Sequence, residues 1–247
     1  MRLLRPVLIL SVIALFASAS IASAITINEV RIDQPSTDFD EYVEFIGNPD
    51  EPFTDMWLLT IGDGASTFGV SGGVDGILDL TAQSVNANGF FLVVEDIWSG
   101  TLGAATPDLV ADLGFENGDN VTHLLVTNLN PAISTYSSDL DKDDDGVIDP
   151  TGDYDGDSID DGPPFTAIVD CIGMVETVGT GELIYCATTV GPDGIYVPSH
   201  IYVCADTGVW AMGTYDPLTS VDTPGTANPD CATPVKPTTW GTIKSLY

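Results

Sequence analysis

Between residues 139 and 161 the chain reads DLDKDDDGVIDPTGDYDGDSIDD, eleven aspartates against a single lysine, Lys142. Carboxylates this crowded repel one another by about 1 kcal/mol per close pair even in water, so a counter-charge has to enter. The spacing says which kind. Asp141, Asp143 and Asp145 alternate, Gly146 follows, and Asp149 comes next. These are positions 1, 3, 5, 6 and 9 of a twelve-residue calcium loop. Alternation lets three carboxylates converge, while the glycine permits the turn that brings the main-chain carbonyl of Val147, at position 7, round as a further ligand. Asp153, Asp155, Asp157 and Asp161 then repeat offsets 1, 3, 5 and 9, with Ile159 at position 7. The pattern predicts a tandem site for Ca2+. Its rival is a plain acidic linker, since blocks of like charge usually solvate and unfold.

Two departures grade the prediction. Position 12, where an EF-hand carries a bidentate Glu, is Gly152 in the first loop and Pro164 in the second, and Ser158 replaces the glycine of the second. In this the segment resembles the thrombospondin type-3 and dockerin-type loops of extracellular proteins. Lacking the bidentate Glu at position 12, the loops are expected to bind weakly, with a Kd of roughly 10⁻⁴–10⁻³ M. No amphipathic helix flanks either loop, so no opening of a helix pair is expected. The segment leaves one strand and returns to another, so calcium is expected to order it locally.

Other chemistry is sparse. His123 alternates with apolar residues in VTHLLV and reads as a strand-face histidine; His200, beside Pro198, reads as a loop residue. Neither lies in a hydrolase motif. Glu29, Glu41 and Glu44 could cluster, but solvated edges or hydrogen bonds to turn amides are the simpler expectation. A glycosidase-type carboxylate pair stays open, because sequence spacing cannot measure the separation that such a pair needs. Trp98 and Trp210 stand beside turns, where exposed rings could stack on sugar.

The elements that must position these groups are strands. With 25 glycines and 16 prolines, no long stretch keeps the helical period. ITINEVRI, EYVEFIG, MWLLTIG, GFFLVVED, NVTHLLVTN, FTAIVDCIGMVE, ELIYCATT and HIYVCAD read instead as short strands between turns, which predicts an all-β sandwich or barrel. In EYVEFI, Tyr42, Glu44 and Ile46 share one face and Val43 and Phe45 the other, the alternation of a half-buried strand. Cys171, Cys186, Cys204 and Cys231 contain no C-x-x-C pair, so two disulfides are expected rather than zinc. If LIYCAT and HIYVC flank a turn as neighbouring strands, Cys186 pairs with Cys204 and Cys171 with Cys231.

The ends read differently. Arg2 and Arg5 precede an apolar run that closes on Ala22-Ser23-Ala24, the pattern of a signal peptide over residues 1–24. The run is too short for a membrane span, and the protein is expected to be secreted or held at the cell surface. A formal charge of −31 excludes unaided binding to nucleic acid or anionic lipid. It suits calcium-rich surroundings and an extracellular protein or polysaccharide partner. Residues 232–247 form a Pro/Thr linker and a tail, WGTIKSLY, that carries Lys244 and resembles the short endings of some exported bacterial proteins.

A further resemblance spans most of the chain. Ile27-Asn28-Glu29-Val30, Asp40-Glu41-Tyr42-Val43-Glu44-Phe45, Met56-Trp57-Leu58-Leu59 and Gly89-Phe90-Phe91-Leu92-Val93-Val94 follow in order. Asn117-Gly118-Asp119-Asn120-Val121, Ile168-Val169-Asp170 and Thr223-Pro224-Gly225-Thr226-Ala227-Asn228 come after them. This series resembles the lamin-tail domain of exported bacterial proteins, with Met56 where that family commonly has Gly or Ser; the resemblance implies that Trp57 is a core residue. The resemblance implies an immunoglobulin-like β-sandwich over residues 25–231, with the acidic segment inserted at about 130–164, and a module without a shared catalytic site. The sequence thus predicts a non-catalytic calcium-binding β-sandwich protein of surface adhesion or extracellular scaffolding. A calcium-dependent carbohydrate-binding module is the alternative, and a secreted hydrolase or its accessory domain the third.

Overall fold

Short runs of β-branched and aromatic residues, cut by glycine and proline turns, fold into strands and nothing else. A computed structural model describes residues 23–64, 70–100, 102, 105–115, 117–179, 181–194 and 196–231; the expected signal peptide, save its last two residues, and the C-terminal tail lie outside them. Among the described residues there is no helix, and so none long and apolar enough to cross a membrane. The strands are β1 (Thr26–Arg31), β2 (Tyr42–Ile46), β3 (Met56–Asp63), β4 (Ser71–Asp79), β5 (Phe90–Glu95) and β6 (Leu109–Ala111). They continue as β7 (Val121–Thr127), β8 (Ala167–Met174), β9 (Thr189–Val190), β10 (His200–Val203) and β11 (Trp210–Met212). A first sheet has the order β11-β10-β1-β2-β5-β6 and a second the order β4-β3-β7-β8-β9.

The alternation of side chains along each strand builds the core between these sheets. Val30, Val43, Phe45, Phe91, Val93 and Ile201 from the first sheet meet Met56, Leu58, Leu125, Ile172 and Met174 from the second in one cluster. This is the all-β sandwich that the sequence predicts. The outer faces, however, are not left to water. On the first sheet Tyr42, Leu92 and Val94 pack under Trp98, Leu102 and Ala105. On the second, Leu59, Ile61, Val74, Leu124 and Val126 pack under Ile133, Leu140, Tyr154 and Tyr185. The half-buried reading of EYVEFI is therefore corrected: its two faces alternate as expected, but Tyr42 and Glu44 are buried as fully as Val43 and Phe45.

Both cysteine pairs differ from the expected connectivity. The bonds are Cys171–Cys186 and Cys204–Cys231, with Cα atoms 5.8 and 5.5 Å apart. The expected pairs, Cys186–Cys204 and Cys171–Cys231, required LIYCAT and HIYVC to be neighbouring strands. They are not. β9 pairs with β8 in the second sheet, whereas β10 pairs with β1 in the first, so the two strands belong to different sheets. ELIYCATT is mostly irregular, and its amides are held by side chains: Leu183 N donates to Asp63 and Tyr185 N to Thr122 Oγ1.

Candidate metal sites

The connection from β7 to β8 holds the acidic segment, and apolar residues set within it fix its course. Ile133, Leu140 and Tyr154 are buried against the outer face of the second sheet, with Ile148 and Phe165 partly so. The segment also bonds to the free edge of that sheet. Val74 N donates to Ser138 O, Tyr136 N to Val74 O and Leu140 N to Gly72 O. Gly72 is required here: its φ is +76°, and a Cβ would meet the Asp141 amide at 2.7 Å.

Anchored in this way, the two loops take the same backbone form. Position 4 has positive φ in both, at Asp144 (53°) and Gly156 (82°), and so does position 6, at Gly146 (83°) and Ser158 (70°). Ser158, where the sequence pattern asks for glycine, adopts glycine's conformation, a strained one for a residue with a Cβ. In both loops the amide of position 9 donates to the carbonyl just before position 1, as Asp149 N to Leu140 O and Asp161 N to Gly152 O. The position-9 carboxylate in turn accepts the position-2 amide, Lys142 N to Asp149 Oδ2 and Tyr154 N to Asp161 Oδ2. The position-5 carboxylate accepts the position-7 amide, Val147 N to Asp145 and Ile159 N to Asp157.

The first carboxylate of each loop is the pivot. Asp141 is wholly buried and accepts from Asp145 N, Gly146 N and the Tyr185 hydroxyl at 2.9–3.1 Å. Asp153 accepts from Gly156 N and Ser158 N, both at 2.8 Å. Around these pivots, one carboxylate oxygen each of Asp141, Asp143 and Asp145 lie within 4.8 Å of one another, as do those of Asp153, Asp155 and Asp161. Both groups could hold a metal ion. Asp149 and Asp157, the other carboxylates expected from the spacing, lie outside these compact sets. The side chains of Val147 and Ile159, the position-7 residues, point to solvent. Asp145 beside it pushes up the Asp143 carboxyl. Lys142, whose Nζ donates to the Asp153 main-chain carbonyl, offsets little of this charge: burial still raises the Asp139 carboxyl despite the nearby ammonium.

An apolar groove of about 400 Å³ runs beside the loops, lined by Val147, Ile148, Pro150, Pro163, Phe165 and Ile168 among others. The tryptophans behave otherwise than a sugar platform requires. Trp98 packs edge-on to Tyr42, with ring centroids 6.1 Å apart, and Trp210 packs against the core between the sheets. Trp57 is only half-buried, on the outer face with the acidic segment rather than in the central core.

Three features were not legible in the sequence. His200 is no loop residue: wholly buried at the start of β10, it meets Glu29 through Nε2 at 2.8 Å and Ser220 Oγ through Nδ1 at 3.0 Å. A bulge in β1 sets Asn28 and Glu29 against Glu44. Glu29 also accepts from Tyr42 OH and from Thr223, Glu44 from Asn28 Nδ2 and Gly225 N, and Asn228 Nδ2 donates to Asn28 O. Arg31 forks onto Asp222 at 2.6 and 2.7 Å. The closing TPGTAN segment is thereby fastened across INE and EYVEF, and Asp170 of IVD accepts the Ile27 amide. The glutamates are thus not solvated edges, although the expected bonds to turn amides are present. Burial pushes Glu44 up to about 8 and Glu41 to about 9. His123, buried between the sheets, is held neutral, with its pKa down at about 3. The third feature is a group of carboxylates, Asp63, Asp119 and Glu182, which scattered positions in the sequence could not reveal.

Comparison with protein-family models and with curated proteins finds no match to this chain.

Proposed function

We propose that this is an exported, non-catalytic β-sandwich protein that binds calcium in the two loops of its β7–β8 connection and uses the loop surface for adhesion or extracellular scaffolding. One observation carries the reading. Loops of different sequence share positive φ at positions 4 and 6 and the same three internal hydrogen bonds, as expected of two copies of one ion-binding device and not of an acidic linker. All-oxygen, carboxylate-rich donors select a hard cation. The two disulfides fit an oxidising compartment. The lamin-tail resemblance is supported by the way its motifs, INE, EYVEF, IVD and TPGTAN, bond to one another. The partner we favour is a protein, because the groove beside the loops is apolar and rich in proline, while Trp98 and Trp210 are half-buried and engaged by Tyr42 and by the core. That placement counts against the carbohydrate-binding alternative.

The test is hydrogen exchange of the full chain in millimolar calcium against chelator. Residues 139–161 should gain protection, and calorimetry should show binding in the range of roughly 10⁻⁴–10⁻³ M. Unchanged exchange together with no heat at millimolar calcium would leave the segment an acidic linker.

A further inference from the structure

Away from both loops, a third set of carboxylates gathers where three segments of the second sheet meet. Asp63 closes β3, Asp119 stands just before β7, and Glu182 lies between β8 and β9. One carboxylate oxygen from each comes within 4.8 Å of the other two. Asp63 is the buried member, 8% exposed. Its Oδ2 is well served, accepting from Leu183 N at 2.6 Å and from Asn120 Nδ2 at 3.3 Å. Its Oδ1 is sealed from solvent and has no partner at hydrogen-bond distance, although the Ser71 hydroxyl lies near enough to favour the ionised carboxylate. Proteins rarely leave a buried carboxylate oxygen so, and an ion or water is the usual reason when they do. Among the described residues the only lysine and arginine are Lys142, bonded to Asp153 O, and Arg31, bonded to Asp222.

We propose that Asp63, Asp119 and Glu182 form a further cation site, independent of the two loops, for a hard divalent ion of the calcium class, with Asp63 Oδ1 as its buried ligand. The donor set is all carboxylate oxygen, without the nitrogen or sulfur that zinc or copper would favour. The ion would join the end of β3 and the start of β7 to the segment that Cys186 ties to β8. That segment has few backbone bonds of its own, so a bridging ion is a physical means of holding it.

The experiment is equilibrium dialysis of the full chain with radioactive calcium, and with magnesium as competitor. Both loops are first silenced by Asp143→Asn, Asp145→Asn, Asp155→Asn and Asp157→Asn, all at exposed positions. This background should keep one ion per chain. Adding Asp63→Asn, which retains an acceptor for the Leu183 amide, should remove it, and Glu182→Gln should weaken it at least tenfold. If Asp63→Asn does not fold, Glu182→Gln carries the test. A silenced background that binds nothing, or one whose ion survives Glu182→Gln undiminished, overturns the proposal. Because the loops are silenced throughout, a failure of calcium binding in the loops themselves leaves the outcome unaffected.

Discussion

Asp141 does two jobs that Asp143 does not share. As the buried pivot of the first loop it satisfies the Asp145 and Gly146 amides and the Tyr185 hydroxyl, whereas Asp143 is exposed. Removing an acceptor from buried donors costs about 1–3 kcal/mol. Asp141→Ala should therefore lower stability by that order even in chelator, while Asp143→Ala, which relieves repulsion from Asp145, should not lower chelator stability and should weaken only calcium binding. Urea melts with and without calcium separate the two, and equal losses in chelator would refute this division of labour. A second prediction concerns Glu44 and Glu41, whose carboxyls burial raises to about 8 and 9 from an ordinary 4.5. The folded chain holds these protons where the unfolded chain has released them, so stability falls as pH rises from about 4.5 through the folded values. His123 works in the opposite sense, but only below its ordinary 6.5. In chelator, Tm should therefore drop between pH 6.5 and 8.5, and Glu44→Gln, which imitates the protonated form, should flatten part of the drop. An unaltered slope in that variant would remove Glu44 as a cause.

The β7–β8 connection is a layer of the fold as well as a pair of loops. Leu140 is fully buried and belongs to the cluster on the outer face of the second sheet. Truncating such a side chain costs about 2–5 kcal/mol. Leu140→Ala should loosen residues 128–166 and weaken calcium binding with every aspartate still in place, because the loops would lose the platform that holds them part-formed. Hydrogen exchange in chelator should show the region around 133–140 protected in the parent chain and not in the variant; equal protection would mean that the platform does not hold the loops. This layer also marks what the sequence could and could not reveal. Seven of the eight expected strands form, since each alternates apolar residues between turn signals. β4 was missed because its SGGVDGILD run has three glycines that break the alternation. ELIYCATT was misread because its apolar residues serve an irregular segment held by side chains. Loop spacing was legible because a repeated offset is local. The burial of Glu29, Glu44 and His200, and the meeting of Asp63 with Glu182, depend on residues more than a hundred positions apart, and neither propensity nor periodicity encodes such a distance. The disulfide pairing failed for another reason: a crossover between sheets looks, in sequence, like a hairpin.

At the scale of the whole molecule, a formal charge of −31 with only six lysines and arginines sets the compact state against its own repulsion. Any cation relieves part of this by screening, an effect that approaches its limit once the Debye length falls to about 8 Å at physiological ionic strength. Site binding is different in kind, because it stabilises in proportion to occupancy and only where the geometry exists. Sodium chloride should raise Tm and then level off. Calcium at matched ionic strength should raise it further, by about 2.7 kcal/mol of stability per occupied site at a hundred times the dissociation constant. Silencing the loops with Asp143→Asn, Asp145→Asn, Asp155→Asn and Asp157→Asn also removes four negative charges, so that chain should melt higher in plain salt yet show a smaller gap between calcium and sodium. Screening alone would make the two salts equivalent in both chains. A parent protein melting at one temperature in calcium and in sodium of equal ionic strength would show that its aspartates act as a diffuse field rather than as sites.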